Sequence, residues 1–478
     1  MTAFEDLHVD HVSLAVGDLT SARAWWTDHY GMRPYAGTAS GGEPVGARMI
    51  CLGRAGIRLL LTEARSDDHP AAVYTRRHGD GVCDIALGTS NAAAAYREAL
   101  RRGAAAVSPP RLKDGVVTAS IVGFGDVTHT FIQRLPSTDA HALPGLVPFT
   151  GSPVGTEEPA GLRTIDHFAV CLEAGQLLPT VAYYEQVLGF RTVFTERIIV
   201  GRQVMDSIAV QSLSGTCTLT LLEPDLSQDP GQIDQFLKDH GGPGIQHIAF
   251  AADDIVREVS GLGATGVEFL RTPGAYYDQM PQRLVPVRHS VERLRELSVL
   301  VDQDQDGQLF QIFTRSVHPR GTLFFEIIER FGARTFGSGN IKALYSAVEA
   351  ERALAAHRLD EALGPHIRPV LFDVGQASVT GVLTVNHVPT VGHLTERGPE
   401  RVLPLVVNEY EKFAIRVVKG VHAGLLLPID TLGVATGAAW PDISAMNLAR
   451  RSRPVSMSRG VRELQESRSS RRSLGDAA

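Results

Sequence analysis

At 478 residues the chain is longer than one ordinary domain, and about three are expected. Its 44% hydrophobic and 21% charged residues belong to a soluble globular protein rather than a disordered or membrane-embedded one. The formal charge of −7 argues against a nucleic-acid partner, because phosphate-binding surfaces are basic. Cys51, Cys83, Cys171 and Cys217 lack CxxC spacing and read as small buried residues in a reducing compartment. The N-terminus carries Glu5, Asp6 and Asp10 with no basic segment, so no signal peptide is expected. The most apolar stretch, Ala423–Trp440, is broken by Pro428 and Asp430, so no membrane span is expected either. A cytoplasmic protein is the expectation.

The first strand, Val9–Val16, contains Asp10-His11 and leads into a helix over Ala22–Tyr30 that meets Gly31, where a left-handed C-cap is expected. A second strand over Gly81–Leu87 is followed by a helix ending near Gly103, and a later strand covers His129–Arg134. The Gly-, Pro-, Ser- and Thr-rich linker Pro148–Gly161 comes next. Then the pattern repeats. Ile165–Val170 carries Asp166-His167, Val181–Leu188 meets Gly189, and Gly244–Phe250 precedes a helix ending near Gly263. Paired aromatics Trp25-Trp26 and Tyr183-Tyr184 mark the equivalent helices. Four similar βαβββ units therefore start near Val9, Gly81, Ile165 and Gly244. Two units make a half-open barrel, so an α+β fold of two tandem halves is predicted, each with a concave face suited to a ligand. The predicted boundaries are residues 1–150 and 160–357. A helix over Lys342–His357 closes the second half. Residues 358–447 read as a further folded segment, with strand-like runs Val370–Val374 and Leu403–Val407 and helical spacing over Asn408–Lys419. Residues 448–478 form an Arg- and Ser-rich tail expected to be disordered.

Three residues of the second half stand at comparable strand positions. His167 opens the third unit, and His247 lies at the equivalent place in the fourth. Glu326 lies in the apolar strand Thr322–Arg330, where an unpaired carboxylate is costly. Alternation puts Phe324, Glu326 and Ile328 on one face, the predicted interior. Two imidazoles and a carboxylate on one side of a metal leave about three open positions, an arrangement suited to O2 chemistry at iron(II). Spacing alone does not establish this, since a single buried histidine is usually a core residue.

The stretch His167–Glu351 resembles the 4-hydroxyphenylpyruvate dioxygenase family. The resemblance rests on Gln246-His247-Ile248-Ala249, Pro273-Gly274-Ala275-Tyr276-Tyr277, Leu309–Thr314, Phe324–Arg330 and Phe336-Gly337-Ser338-Gly339-Asn340. With a looser match in the N-terminal half it spans roughly the first 355 residues. It implies the vicinal-oxygen-chelate, glyoxalase-like fold, with Fe(2+) held by His167, His247 and Glu326. It further implies 4-hydroxyphenylpyruvate and O2 as small-molecule partners. A homodimer is compatible with the sequence, which leaves the oligomeric state open. The first half keeps His11 but has Asp84 and Thr130 where the second has His247 and Glu326, so it reads as structural.

The family resemblance implies two outcomes on one substrate. Both lose CO2; one places oxygen on the ring to give homogentisate, the other on the benzylic carbon to give 4-hydroxymandelate. The ring-oxidising enzymes usually read Pro-x-Asn-Glu-Pro where this chain has Thr220-Leu221-Leu222-Glu223-Pro224, and Gly-Asn-Phe where it has Gly339-Asn340-Ile341. These departures, with Gly307–Gln311, resemble the hydroxymandelate synthase branch, whose product supplies hydroxyphenylglycine-type building blocks for secondary metabolism. Neutral drift of a pocket wall is the bland alternative. Ser207 and Gln311 are further pocket candidates, and Phe336 with the helix from Asn340 is a candidate lid. Each is also readable as packing or capping.

Other signals carry less. Asp302–Gly307 imitates an EF-hand loop but has Phe313 at the twelfth position, and reads as an acidic turn. Gly337-Ser338-Gly339 lacks the rest of a phosphate loop, and His387 with His393 lacks a third metal ligand. Similar paired units also build non-catalytic binding proteins, so fold alone does not give chemistry.

Overall fold

The computed structural model describes residues 3–39, 46–149, 161–200, 203–337 and 339–340, and four short strand pieces beyond. Compact units divide between Val348 and Glu349. In chain order the first half contains β1 (His8–Ala15), α1 (Leu19–Tyr30), β2 (Arg33–Gly37), β3 (Ala47–Arg54), β4 (Ile57–Ala64), α2 (Pro70–His78), β5 (Gly81–Gly88), α3 (Ala92–Arg101), β6 (Ala106–Lys113), β7 (Val116–Phe124), β8 (Val127–Arg134) and β9 (Val147–Pro148). The second contains β10 (Leu162–Cys171), α4 (Leu177–Leu188), β11 (Arg191–Val200), β12 (Gln203–Gln211), β13 (Thr218–Pro224), α5 (Gln232–His240), β14 (Gly244–Ala252), α6 (Ile255–Ala264), α7 (Gly274–Gln279), α8 (Val291–Leu297), β15 (Leu300–Gln303), β16 (Gln308–Phe313) and β17 (Phe324–Phe331).

The helix ends follow from their capping residues. Asp18 accepts from the backbone N–H groups of Thr20 and Ser21, so α1 starts three residues earlier than its apolar spacing suggests. Gly31 and Gly189 close α1 and α4 in the left-handed region at φ 63° and 70°, where a side chain would be strained. Helix α3 buries Ala92, Ala95, Tyr96 and Ala99, one stripe at helical spacing. Helix α6 continues past Gly263, held by buried Ile255, Val259 and Leu262.

Both sheets are mixed and share one topology. The first runs β6-β7-β8-β5-β1-β4-β3-β2-β9, the second β11-β12-β13-β10-β14-β17-β16-β15. Read from the other end and without the short β9, the first sheet has the strand order of the second. Each is a curled half-barrel of the α+β class. The faces turned away from the half-barrel interiors share one core. Trp26 of α1 meets Phe325 of β17 at 4.9 Å between ring centroids. In return Tyr184 of α4 donates to His129 of β8 at 2.7 Å. Each of these helices packs on its own half's sheet and reaches the other with a side chain. Each large buried side chain contributes about 1.5–3 kcal/mol.

Beyond residue 348 the described pieces are Leu394–Thr395 against Gly398–Pro399, and Ala414–Arg416 against Leu426–Pro428. Of Asn408–Lys419, read with helical spacing, only Ala414–Arg416 is described, and it is a strand, where the β-branched Ile415 favours extended backbone. Ile341, the helix over Lys342–His357, the strands at Val370–Val374 and Leu403–Val407, His387, His393 and the tail lie outside the described residues.

Candidate metal centre

Strand register brings the three predicted ligands to one face of the second sheet. His167 on β10 pairs with Ala249 on β14, which pairs with Glu326 on β17. Ala169, two residues after His167, pairs with His247. With a period of two, His167, His247 and Glu326 all point into the half-barrel. Glu326 Oε2 lies 3.3 Å from His167 Nε2 and 3.3 Å from His247 Nε2, and all three residues are at least nine-tenths buried. Neighbouring ligands on an ion with bonds of about 2.1 Å stand about 3 Å apart, so this donor set fits a shared metal.

A second layer orients the first. Asp166 accepts from His167 Nδ1 at 2.8 Å and from Arg330 Nε and Nη2, both at 2.8 Å. A proton held on Nδ1 makes Nε2 the nitrogen that faces Glu326 and would meet a metal. Burial pushes the Asp166 carboxyl up, but Arg330 and His167 overcome it and hold it well below the usual carboxylate range. Burial likewise lowers His167, yet Asp166 and Glu326 hold it up at about 9. Glu326 stays below its ordinary value, because the two imidazoles outweigh its burial. Sequence reasoning did not assign Asp166 or Arg330. The signal was present: Asp-His lies within both β1 and β10, and an arginine follows four residues after Thr130 and after Glu326.

The pocket candidates fall around the triad. Thr220 and Leu222 on β13 pair with Ala169 and Cys171 of β10, and Ser207 on β12 pairs with Leu222. They therefore share the histidines' face. Thr220 Oγ1 is buried without a hydrogen-bond partner among the described residues, and so is Gln311 Oε1. Leu222 packs with Ile198, Met205, Ile233 and Phe236. Phe336 stands edge-on to the His167 ring at 5.1 Å. Phe324 stacks on His247 at 5.0 Å. Asn340 is taken up by Tyr276, whose hydroxyl lies 2.7 Å from its side-chain oxygen. The acidic turn is structural: Asp304 accepts the backbone N–H groups of Asp306, Gly307, Arg334 and Thr335.

A second cluster, unforeseen from sequence, joins Asp254, His289 and Glu329. Glu329 points to the other side of β17 and is already engaged by Arg288, His289 and the backbone N–H of Ile255. It is a charge-paired cap of α6. In the first half, Asp84 pairs with Ser13 and with Thr128, and Ala86 with Thr130, the register that His247 and Glu326 occupy in the second.

Paired half-barrels with two imidazoles and a carboxylate on one inner face define a protein of the glyoxalase and dioxygenase class. Residues 164–312 match the Glyoxalase/Bleomycin resistance protein/Dioxygenase superfamily, and residues 9–149 a Glyoxalase-like domain. The chain is 32% identical over 364 residues to the 4-hydroxyphenylpyruvate dioxygenase of Yarrowia lipolytica, covering 72% of this chain and 92% of that one. It is 32% identical to the Dictyostelium discoideum enzyme of the same name, over 72% and 97%. A solved triple mutant of 4-hydroxymandelate synthase from Streptomyces coelicolor is 41% identical, with TM-score 0.63, covering 73% of this chain and 99% of that one. The chain belongs to the 4-hydroxyphenylpyruvate dioxygenase family. Among the described residues no helix is long and apolar enough to cross a membrane.

Proposed function

We propose that the chain is an iron(II)-dependent 4-hydroxymandelate synthase, converting 4-hydroxyphenylpyruvate and O2 to 4-hydroxymandelate and CO2. The ligands are His167, His247 and Glu326, and bound iron(II) would supply a site for the 2-oxo acid and for O2 activation. The observation that carries the product assignment is the wall at Thr220 and Leu222, on the same face as both histidines. A leucine there offers no hydrogen bond where the ring-oxidising relatives carry an amide, and Ile341 replaces an aromatic. The 41% identity to a hydroxymandelate synthase supports the same reading. Asp166 and Arg330 keep His167 in one tautomer, and Phe336 shields the His167 side from water. Ser207, Thr220 and Gln311 supply polar atoms to orient the substrate's phenol or carboxylate.

Selectivity between carbons needs little energy: a hundredfold product ratio corresponds to about 2.7 kcal/mol between barriers. Chromatography of the products formed from 4-hydroxyphenylpyruvate under air tests the assignment. The wild type should give mostly 4-hydroxymandelate. Ile341→Phe, alone or with Leu222→Asn and Thr220→Pro, should shift flux toward homogentisate. Homogentisate as the sole wild-type product would place the chain in the ring-oxidising branch and leave the metal reading intact.

A further inference from the structure

The first half has its own pocket, of about 260 Å³, on the face that corresponds to the metal centre. Its polar side includes His11 and Asp84, which are 4% and 7% exposed. His11 Nδ1 lies 2.8 Å from Asp10 Oδ1, so in the neutral ring the proton rests there and Nε2 presents a lone pair. Among the described residues Nε2 has no partner. Asp10 is itself compensated by Arg134 and Arg58.

Asp84 has no such partner, and only the ring of His11, when protonated, offsets its charge. Its Oδ1 accepts from the hydroxyls of Thr128 and Thr130, and no arginine or lysine pairs with it among the described residues. Burial pushes its carboxyl up to about 6, so it is still largely ionised at neutral pH. A buried carboxylate beside an imidazole lone pair asks for a donor that also carries positive charge. The same pocket is also lined by the apolar Met49, Leu60 and Leu143. A cavity of about 150 Å³ admits benzene, so this one has room for a single ring with a short polar arm.

We propose that the pocket of the first half binds a small organic ammonium ion bearing one apolar group, its head on Asp84 and His11 and its body against Met49, Leu60 and Leu143. This site is independent of the metal and product readings of the second half. A divalent cation is the less suited occupant, since only two protein ligand residues face the pocket.

Calorimetric titration of the full chain with benzylamine, benzyl alcohol, benzoate and manganese(II) tests the proposal. Benzylamine should bind at one site, and at least tenfold more tightly than its neutral isostere, the scale of a charge-assisted hydrogen bond. Asp84→Asn keeps an oxygen for Thr128 and Thr130 and should weaken benzylamine roughly tenfold or more, with turnover unchanged. Glu326→Gln should leave benzylamine binding as in the wild type, which separates this pocket from the metal centre. Equal affinity for benzyl alcohol, tighter binding of benzoate, or benzylamine affinity untouched by Asp84→Asn would overturn it. So would a manganese site abolished by Asp84→Asn without any benzylamine binding. The order of the three organic probes is read on wild-type protein alone, so the test does not depend on any variant folding.

Discussion

Asp166 links Arg330 to His167, and its charge is what keeps the Nδ1 proton in place. Asp166→Asn should therefore lower iron affinity about 10–100-fold, as read by chelator competition. Asp10→Asn, the same change in the first half, should leave iron affinity unaltered. Glu326→Ala should abolish turnover, while His11→Ala should keep one iron per chain by metal analysis; two irons in the wild type would contradict the single-site reading. Asp84 gives a pH-dependent counterpart. Its carboxyl moves from 3.8 to about 6 on burial, so the folded state favours the protonated form. That contribution, about 3 kcal/mol, is complete below pH 4 and is lost as pH rises through 6. Asp84→Asn should thus raise the Tm at pH 8 in ligand-free buffer, with the difference vanishing near pH 4.

At the scale of elements, the metal centre depends on five neighbouring strands keeping their register. A slip of one residue in β14 would turn His247 to the core and Ile248 to the cavity. Two glycines guard the far side. A Cβ on Gly307 would lie 2.0 Å from the Phe331 carbonyl oxygen, so Gly307→Ala should separate β16 from the end of β17 and lower the Tm. Gly337 has φ 77°, and a Cβ there would lie 2.2 Å from Gln311 Oε1. Gly337→Ala should displace the Gln311 amide, raising KM for the 2-oxo acid while iron stoichiometry holds. An unchanged KM would remove Gln311 from the substrate pocket.

At the scale of the whole molecule, side chains of α1 and α4 reach across to the other half, so the two sheets share one core. Trp26 sits on α1 of the first half but packs on Phe325, next to Glu326. Trp26→Ala should cost about 3–5 kcal/mol in denaturant unfolding, with both halves melting in one transition. The repeat and its ligands lie before residue 348, so a chain ending within Arg358–Leu363 should retain turnover. Loss of activity in a soluble, iron-loaded truncation would assign the later segment a part in the site. Much of this was legible in the sequence. Asp-His at two strand starts, glycines after two helices and a carboxylate inside an apolar strand are local signals, because strand alternation and helix capping act over a few residues. The doubled βαβββ pattern came from these, and they marked the three candidate ligands that the family resemblance assigned. Within Asn408–Lys419, read with helical spacing, the described Ala414–Arg416 is a strand, where β-branched Ile415 prefers extended backbone. Other features join residues far apart in the chain: Arg330 on Asp166, Tyr276 on Asn340, Trp26 of α1 on Phe325 of the other half, and a buried Asp84 with no arginine or lysine partner among the described residues. No local rule encodes such pairs, since burial and charge compensation exist only once distant strands have met; there the tertiary structure decided.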